Sequence, residues 1–329
     1  MGLLRELRWR CSLEKKSCGY DSMAYSCPIC CSEHWIDRIS RSVGGNVFEC
    51  GNCGHLSVYP MPGEGEVTNL YSESGIIAPL CVGKALYDNL ALDILRKLDN
   101  RSRLRILDVG CGLGEILDQC ARFGHRVKGL EVTKSIVEHI RQRGHDVEQL
   151  PLEQADKLTE RYDWVICLDV IEHLRDPILA IQRLAELVDE GGYILIQSPN
   201  GNAVSRYRAR SAALTVDPEH LHYFQPKILC QMFEAKGVKT IGTYFYPASF
   251  GFGSAKSKES KRIVTDLKLS TIYRREAGVL SFKEYILRDI PFVRAILRSC
   301  VQVFRRICQF DQISAGNAFA FILILRKNK

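Results

Sequence analysis

The chain has 329 residues, 46% of them hydrophobic and 25% charged, which supplies material for a sizeable core and excludes a disordered, charge-dominated chain. The length fits one catalytic domain with additions at its ends. The net charge is +7, and Phe250–Gln312, with 13 Lys and Arg against 6 Asp and Glu, carries the whole excess, so the rest of the chain balances to zero.

Met1–Arg10 contain no long apolar run, so no signal peptide is expected there. Gly2 is followed by Glu6 where a myristoylation motif needs Ser or Thr. No apolar run reaches 18 residues, so no membrane-spanning helix is expected. Of the fourteen cysteines, Cys81, Cys111, Cys120, Cys167 and Cys230 stand singly inside apolar runs. That is unlike a small disulfide scaffold and points to a reducing, cytoplasmic setting.

The first chemistry along the chain is Cys27-Pro-Ile-Cys30 and, with 19 residues between, Cys50-Gly-Asn-Cys53. A C-x-x-C turn aims two thiolates at one centre, and Zn²⁺ takes four such donors in a tetrahedron. Gly44-Gly45-Asn46 between the pairs is a hairpin signal. The pattern predicts a structural zinc ribbon held by Cys27, Cys30, Cys50 and Cys53, with Cys31, His34 and His55 near enough to substitute for one ligand.

Arg105–Val109 reads as a buried strand, and Gly110-Cys-Gly112-Leu-Gly114 follows it before a helical pattern from Glu115 to Phe123. Glycines there allow a tight turn and a close ligand, which the helix N-terminus then faces. His125–Glu131 reads as a second strand ending in an acid that can hydrogen-bond both hydroxyls of a ribose. A helix over Ser135–Arg143, a strand from Tyr162 ending at Asp169, a helix from about Pro177 to Val188, Gly191-Gly192 and a strand over Tyr193–Gln197 continue the alternation. This demands a parallel sheet covered on both faces.

From Asn100 to Pro247 the run resembles the class I S-adenosylmethionine-dependent methyltransferases: "LDVGCGLG", "GLEV", "YDWVICLDVIEHLRDP" and "LVDEGGYILIQSPN" look like its successive strands and turns. The turn is G-x-G-x-G rather than the G-x-G-x-x-G of dinucleotide sites. The resemblance implies a Rossmann-like seven-stranded sheet with the last strand antiparallel. It also implies that Asp108, Gly110, Gly112 and Gly114 cradle the amino-acid tail of S-adenosylmethionine. In the same way Glu131 takes the ribose, Leu152 and Glu153 lie near the adenine, and Asp169 lies beside the sulfonium. "DVIEHLRDP" further resembles the quinone-biosynthesis O-methyltransferases, and Asp169, Glu172 and His173 are donors of the kind that hold a divalent cation.

Candidates for the acceptor chemistry lie in "DPEHLHYFQPKIL", Asp217–Leu229. His220 and His222 are two apart and face one side of an extended chain. Histidine is also the side chain whose unperturbed pKa lies nearest neutrality. The stretch resembles the "HLxxF" segment of the methyltransferases. It also partly matches the "HEHxxYF" of sugar C-methyltransferases, which carry an N-terminal zinc module too, although Pro218 replaces the first His. His220, His222 and Tyr223 are the catalytic candidates, with His220 as the preferred base. No NPPY or DPPY follows the fourth strand, so an oxygen or a sugar carbon is a better acceptor than a base amino group.

Gly237–Tyr246 and Asn317–Lys327 read as the last two strands. The residues between them, about 248–314, then emerge at the cofactor end of the sheet as a basic insertion. Within it Pro291–Phe310 puts Val293, Leu297, Cys300, Val301, Phe304, Ile307 and Cys308 on one helical face. Arg294, Arg298, Gln302, Arg305 and Gln309 lie on the other. Such a helix fits an anionic membrane surface, here the inner face, or a phosphate-bearing substrate.

The domain reading is an N-terminal segment at 1–75 with the ribbon core at 25–60, a methyltransferase core at 76–247, the insertion at 248–314 and a final strand at 315–329. The function expected is methylation of a hydroxyl on a sugar, glycan precursor or lipid-like small molecule. The alternatives are an RNA methyltransferase gripping RNA through the ribbon, a sugar C-methyltransferase, and an inactive ribbon scaffold. The ribbon's unremarkable charge disfavours nucleic acid as the partner.

Overall fold

A computed structural model describes residues 26–39, 45–63, 91–207, 219–246 and 320–328. Three short strands come first: β1 (Trp35–Ile39), β2 (Asn46–Cys50) and β3 (Leu56–Tyr59). The main sheet is built from β4 (Arg105–Val109), β5 (Arg126–Glu131), β6 (Val147–Gln149), β7 (Tyr162–Leu168), β8 (Val188–Pro199), β10 (Val238–Tyr246) and β11 (Ala320–Lys327). Its order is β10-β11-β8-β7-β4-β5-β6. β6, β5, β4, β7 and β8 run parallel. β11 runs antiparallel between β8 and β10. This is the seven-stranded, Rossmann-like α/β architecture expected from the sequence.

The central strands are apolar on both faces because helices cover both. On one face Leu107, Val165, Cys167, Ile194 and Ile196, with Phe321 and Leu323 of β11, form a cluster with Ala180, Ile181, Leu184, Leu229 and Phe233 of the helices Pro177–Leu187 and Pro226–Glu234. On the other, Ile106, Trp164, Ile166 and Leu195 meet Leu92, Ile94 and Leu95 of the helix at 91–98 and Ile116 and Cys120 of the helix Glu115–Arg122. The Pro177–Leu187 helix starts where local chemistry says it should: Asp176 caps it by accepting from the Leu179 amide at 2.9 Å, with Pro177 in the first turn.

Two features differ from the sequence reading. Gly191-Gly192 does not precede the fifth strand; β8 runs through it for 12 residues. The pairing with β7 jumps from Tyr162↔Val188 to Trp164↔Tyr193, and a Cβ at Gly192 would lie 2.9 Å from the Asp163 carbonyl oxygen. The glycines thus mark a bulge with close backbone approach. The N-terminal strands, in turn, do not stand apart from the catalytic segment. A two-residue strand, β9 (His222–Tyr223), joins β1, β2 and β3 in one four-stranded sheet, and Cys27, Ile29 and Cys50 share an apolar cluster with Phe224 and Phe233.

The insertion at 248–314 and its 291–310 helix lie outside the described residues. Among the described residues no helix is long and apolar enough to cross a membrane.

Candidate functional site

In a parallel sheet the ends of neighbouring strands and the turns after them form one crevice. Here the turns after β4, β5, β7 and β8 do so. After β4, Gly110, Gly112 and Gly114 adopt φ of +67°, +52° and +81°, a left-handed conformation that glycine takes without strain. The amides of Gly110 and Cys111 both donate to the Leu130 carbonyl, at 2.8 and 3.0 Å, which ties the turn to β5. A Cβ on Gly110 would lie 2.4 Å from Val170 Cγ2, so the turn also packs against the loop leaving β7.

Glu131, at the end of β5, is buried and organises this cradle. Oε2 accepts from the Gly112 amide at 3.1 Å, and Oε1 accepts from the Val132 and Thr133 amides at 2.8 and 2.9 Å. Asp108 is buried at the end of β4. Leu152 and Glu153 open a 3₁₀ turn, Leu152–Lys157, just after β6, where Arg183 Nε donates to the Glu153 carbonyl at 3.4 Å. Asp169 follows β7 at φ +53°, with its amide donating to the Gln197 carbonyl at 3.3 Å. Left-handed backbone at a non-glycine residue is uncommon and tends to occur at working sites. The narrow glycine turn, with no room for a Cβ at Gly110, and the carboxylate beside it fit the cofactor's amino-acid tail and ribose.

The next turn, Ile171–His173, carries the acceptor-side candidates. Glu172 is fully buried. His173 Nδ1 lies 3.1 Å from the Glu219 carbonyl oxygen, and its ring stands edge-on to His220 with centroids 4.7 Å apart. Glu172, His173 and His220 each offer a ligand atom within 4.8 Å of the others. The grouping therefore replaces Asp169 in the cation trio expected from sequence with His220. Burial, then the neighbouring His220, pushes the His173 imidazole down to about 3.

His222 and Tyr223 require a correction. Two-residue spacing suggested that His220 and His222 face one site, but the chain bonds differently on either side of them. His222 Nδ1 faces His55 Nε2 at 3.1 Å and Ser57 Oγ at 3.2 Å, all three residues fully buried. Tyr223 belongs to a small core with Ile39, Val47, Leu56, Val58 and Val204. Both sit in the joint between the N-terminal sheet and the catalytic domain, although the Tyr223 ring also stands edge-on to His220 with centroids 5.7 Å apart; His220 is the candidate that lies with Glu172 and His173. Burial pushes His222 down to about 4, and burial, then His222, lowers His55 well below its usual value.

The four cysteines converge. Cys27 and Cys53 sulfurs are 3.6 Å apart, Cys30 and Cys50 sulfurs 3.5 Å apart, and all four lie within 4.8 Å of one another. A hydrogen bond from Cys27 draws the Cys30 thiol down to about 6 and Cys50 lower still. Of the substitutes, Cys31 lies outside the cluster, His34 lies over Gly51, and His55 turns toward His222. A donor set of four thiols fits Zn²⁺ in a closed site.

The sequence signal for the joint was absent because β9 pairs with a strand about 165 residues earlier. The amides of Val132 and Thr133 were also missed, since backbone donors leave no mark on residue type.

A family described as "Methyltransferase domain" matches residues 84–241. The ubiquinone biosynthesis O-methyltransferase of Aeromonas salmonicida (strain A449) is 28% identical over 177 residues, 49% of this chain and 74% of that protein. The enzyme of the same name from Vibrio vulnificus (strain YJ016) is 31% identical over 160 residues, 44% of this chain and 68% of that one. The crystal structure of an S-adenosylmethionine-dependent methyltransferase from Archaeoglobus fulgidus is 16% identical, covering 80% of this chain and all of that one, with a TM-score of 0.44. By its sheet order, its glycine turn and the relatives it matches, the chain belongs to the class I S-adenosylmethionine-dependent methyltransferases and is a methyltransferase.

Proposed function

We propose that the enzyme O-methylates a hydroxyl group of a small molecule, with His220 as the base that takes the hydroxyl proton. The observation behind this reading is the placement of His220, which the 219–223 segment brings against His173 and beside Glu172 on the turn that follows Asp169. The similar proteins are ubiquinone biosynthesis O-methyltransferases, which agrees with an oxygen acceptor.

S-adenosylmethionine, when bound, supplies an activated methyl on a cationic sulfur, so the protein's task is positioning and proton removal. Asp108, Gly110, Gly112 and Gly114 would hold the cofactor's amino-acid tail and Glu131 its ribose, with Asp169 on the sulfonium side and Leu152 and Glu153 on the adenine side. Alignment of acceptor and methyl contributes several kcal/mol. His220 would receive the hydroxyl proton as the oxygen bonds to the methyl carbon and the carbon–sulfur bond breaks, its electron pair staying on sulfur. A second reading rests on the clustering of Glu172, His173 and His220, whose mixed carboxylate and imidazole donors suit a divalent cation.

The acceptor proposed is a sugar, glycan precursor or lipid-like molecule, with the basic 248–314 segment meeting its phosphate or an anionic inner-membrane surface. The test is transfer of label from methyl-tritiated S-adenosylmethionine into cell fractions. Label is expected in lipid-linked or glycan material and to survive nuclease. Label carried by RNA would overturn the acceptor class.

The four cysteines are proposed to hold one structural Zn²⁺, with one equivalent expected by elemental analysis and none in a Cys27→Ser, Cys50→Ser double variant. A chain that purifies without zinc, and takes up none, would remove the ribbon.

The buried histidines give a pH prediction. His222 titrates near 4 when folded and near 6.5 when unfolded. Between those values the unfolded state binds the extra proton, so stability is full above about 6.5 and falls as pH drops toward 4. The slope from this residue is about 1.4 kcal/mol per pH unit at most. Urea unfolding at stepped pH should show a shallower acid loss in His222→Gln than in wild type, and parallel curves would contradict the burial argument.

A further inference from the structure

The N-terminal sheet and the segment carrying His220 are bonded from two sides. On one side β3 pairs with β9 at Leu56↔Tyr223 and Ser57↔His222, and the Val58 amide donates to the Leu221 carbonyl at 2.9 Å. On the other side the Leu221 amide donates to the Glu172 carbonyl at 2.8 Å, and His173 Nδ1 meets the Glu219 carbonyl. Residues 219–223 therefore form a bridge between the ribbon strand and the turn that holds Glu172 and His173. A third tie reaches the cysteines directly: Gln225 Nε2 donates at 2.9 Å to the carbonyl of Gly54, next to Cys53.

Beside the apolar cluster around Tyr223, this joint holds three polar side chains. His55, Ser57 and His222 are each fully buried. The facing nitrogens of the two imidazoles are 3.1 Å apart, so one ring donates and the other accepts. Apolar packing alone would join the two parts. A buried polar contact with few allowed geometries favours one relative placement, because another would leave His55 Nε2 and His222 Nδ1 desolvated and unpaired as well. His55 lies two residues after Cys53, and its carbonyl accepts from the Cys50 amide at 2.8 Å. The second cysteine knuckle and the histidine joint are thus parts of one short loop. In contrast, the Glu131 carboxylate accepts from the amides of Gly112, Val132 and Thr133, none of which belongs to the ribbon or to residues 219–225.

We propose that the ribbon positions the acceptor half of the active site: His222, keyed by His55 and Ser57, is a positioning residue that sets His220 against His173, and metal held by the four cysteines maintains that setting while the cofactor half is independent of it. This rests on the reading of His220 as the base and of the cysteines as a metal centre.

The test uses the full-length enzyme with zinc. His222→Phe fills the volume but lacks Nδ1, and His222→Asn returns an acceptor near the Nδ1 position. The Phe variant is expected to lose at least about tenfold in kcat (about 1.4 kcal/mol) with S-adenosylhomocysteine affinity unchanged. The Asn variant is expected to recover most of the loss. Hydrogen exchange at the Val58 and Leu221 amides should speed up in the Phe variant and in wild type stripped of zinc by chelation. The second comparison holds even if a variant folds badly. Wild-type protein that binds no zinc, or keeps full turnover in His220→Ala, overturns the underlying reading and the brace with it. Zinc-loaded, His220-dependent enzyme overturns the brace alone if chelation leaves both amides protected or if His222→Phe turns over normally.

Discussion

Replacing Glu131 by Ala is expected to weaken S-adenosylmethionine binding by roughly 100- to 1,000-fold, the equivalent of about 3–4 kcal/mol. Two losses, which overlap rather than add, lie behind that figure. A carboxylate bonded to both ribose hydroxyls makes charged hydrogen bonds of about 1.5–3 kcal/mol each. The same carboxylate also accepts from the amides of Gly112, Val132 and Thr133, so the glycine turn loses the group that holds it open for the cofactor. Glu131→Gln separates the two. It keeps the shape and one carbonyl acceptor, and is expected to fall between wild type and Ala. Titration calorimetry with S-adenosylhomocysteine measures the effect, and the thermal unfolding midpoint checks that the fold survives. Affinity equal to wild type in the Ala variant would take the ribose contact away from this residue.

How far the site was legible varied with the range of the interaction that built it. The glycine turn was readable because its requirements are local: Gly110 needs a positive φ and has no room for a Cβ, and only one residue type satisfies both. The cysteine pairs were readable for the same reason, since two C-x-x-C turns encode two halves of one tetrahedron. Strands β4 and β7 announced themselves as apolar runs because helices bury both their faces. β6, only three residues long, carries too little pattern to be seen. The joint at β9 was invisible. Nothing near His222 says that its partner is His55, 167 residues away, so alternation assigned it to the same site as His220. Gly191-Gly192 was misjudged from the opposite cause: pairing with β7 at Val188 before the glycines and from Tyr193 after them overrides the local turn signal and leaves the glycines as a bulge within β8.

His220→Ala is expected to lower kcat by about 10²- to 10⁴-fold, the range for loss of a positioned general base, while leaving cofactor affinity within a factor of about two of wild type. The split follows from the geometry. The hydrogen bonds that organise the cofactor cradle run between Glu131 and the turns after β4 and β5, whereas His220 contacts the His173 ring and lies on the segment bonded to Glu172 and β3. A loss seen only in kcat is thus a loss in the acceptor half. Glu172→Gln beside it distinguishes the two chemistries open to the Glu172, His173 and His220 group. If His220 is a base acting alone, Glu172→Gln preserves most of the activity, and added Mg²⁺ or Mn²⁺ changes nothing in a preparation whose zinc is intact. If the three residues hold a cation, Glu172→Gln and His220→Ala fail alike, and activity in wild type rises with added metal to a plateau. A carboxylate buried beside two imidazoles makes that comparison informative. As a bystander, Glu172 can be neutralised at the cost of one buried group, but as a ligand it cannot be replaced by an amide without losing the charge that holds the ion.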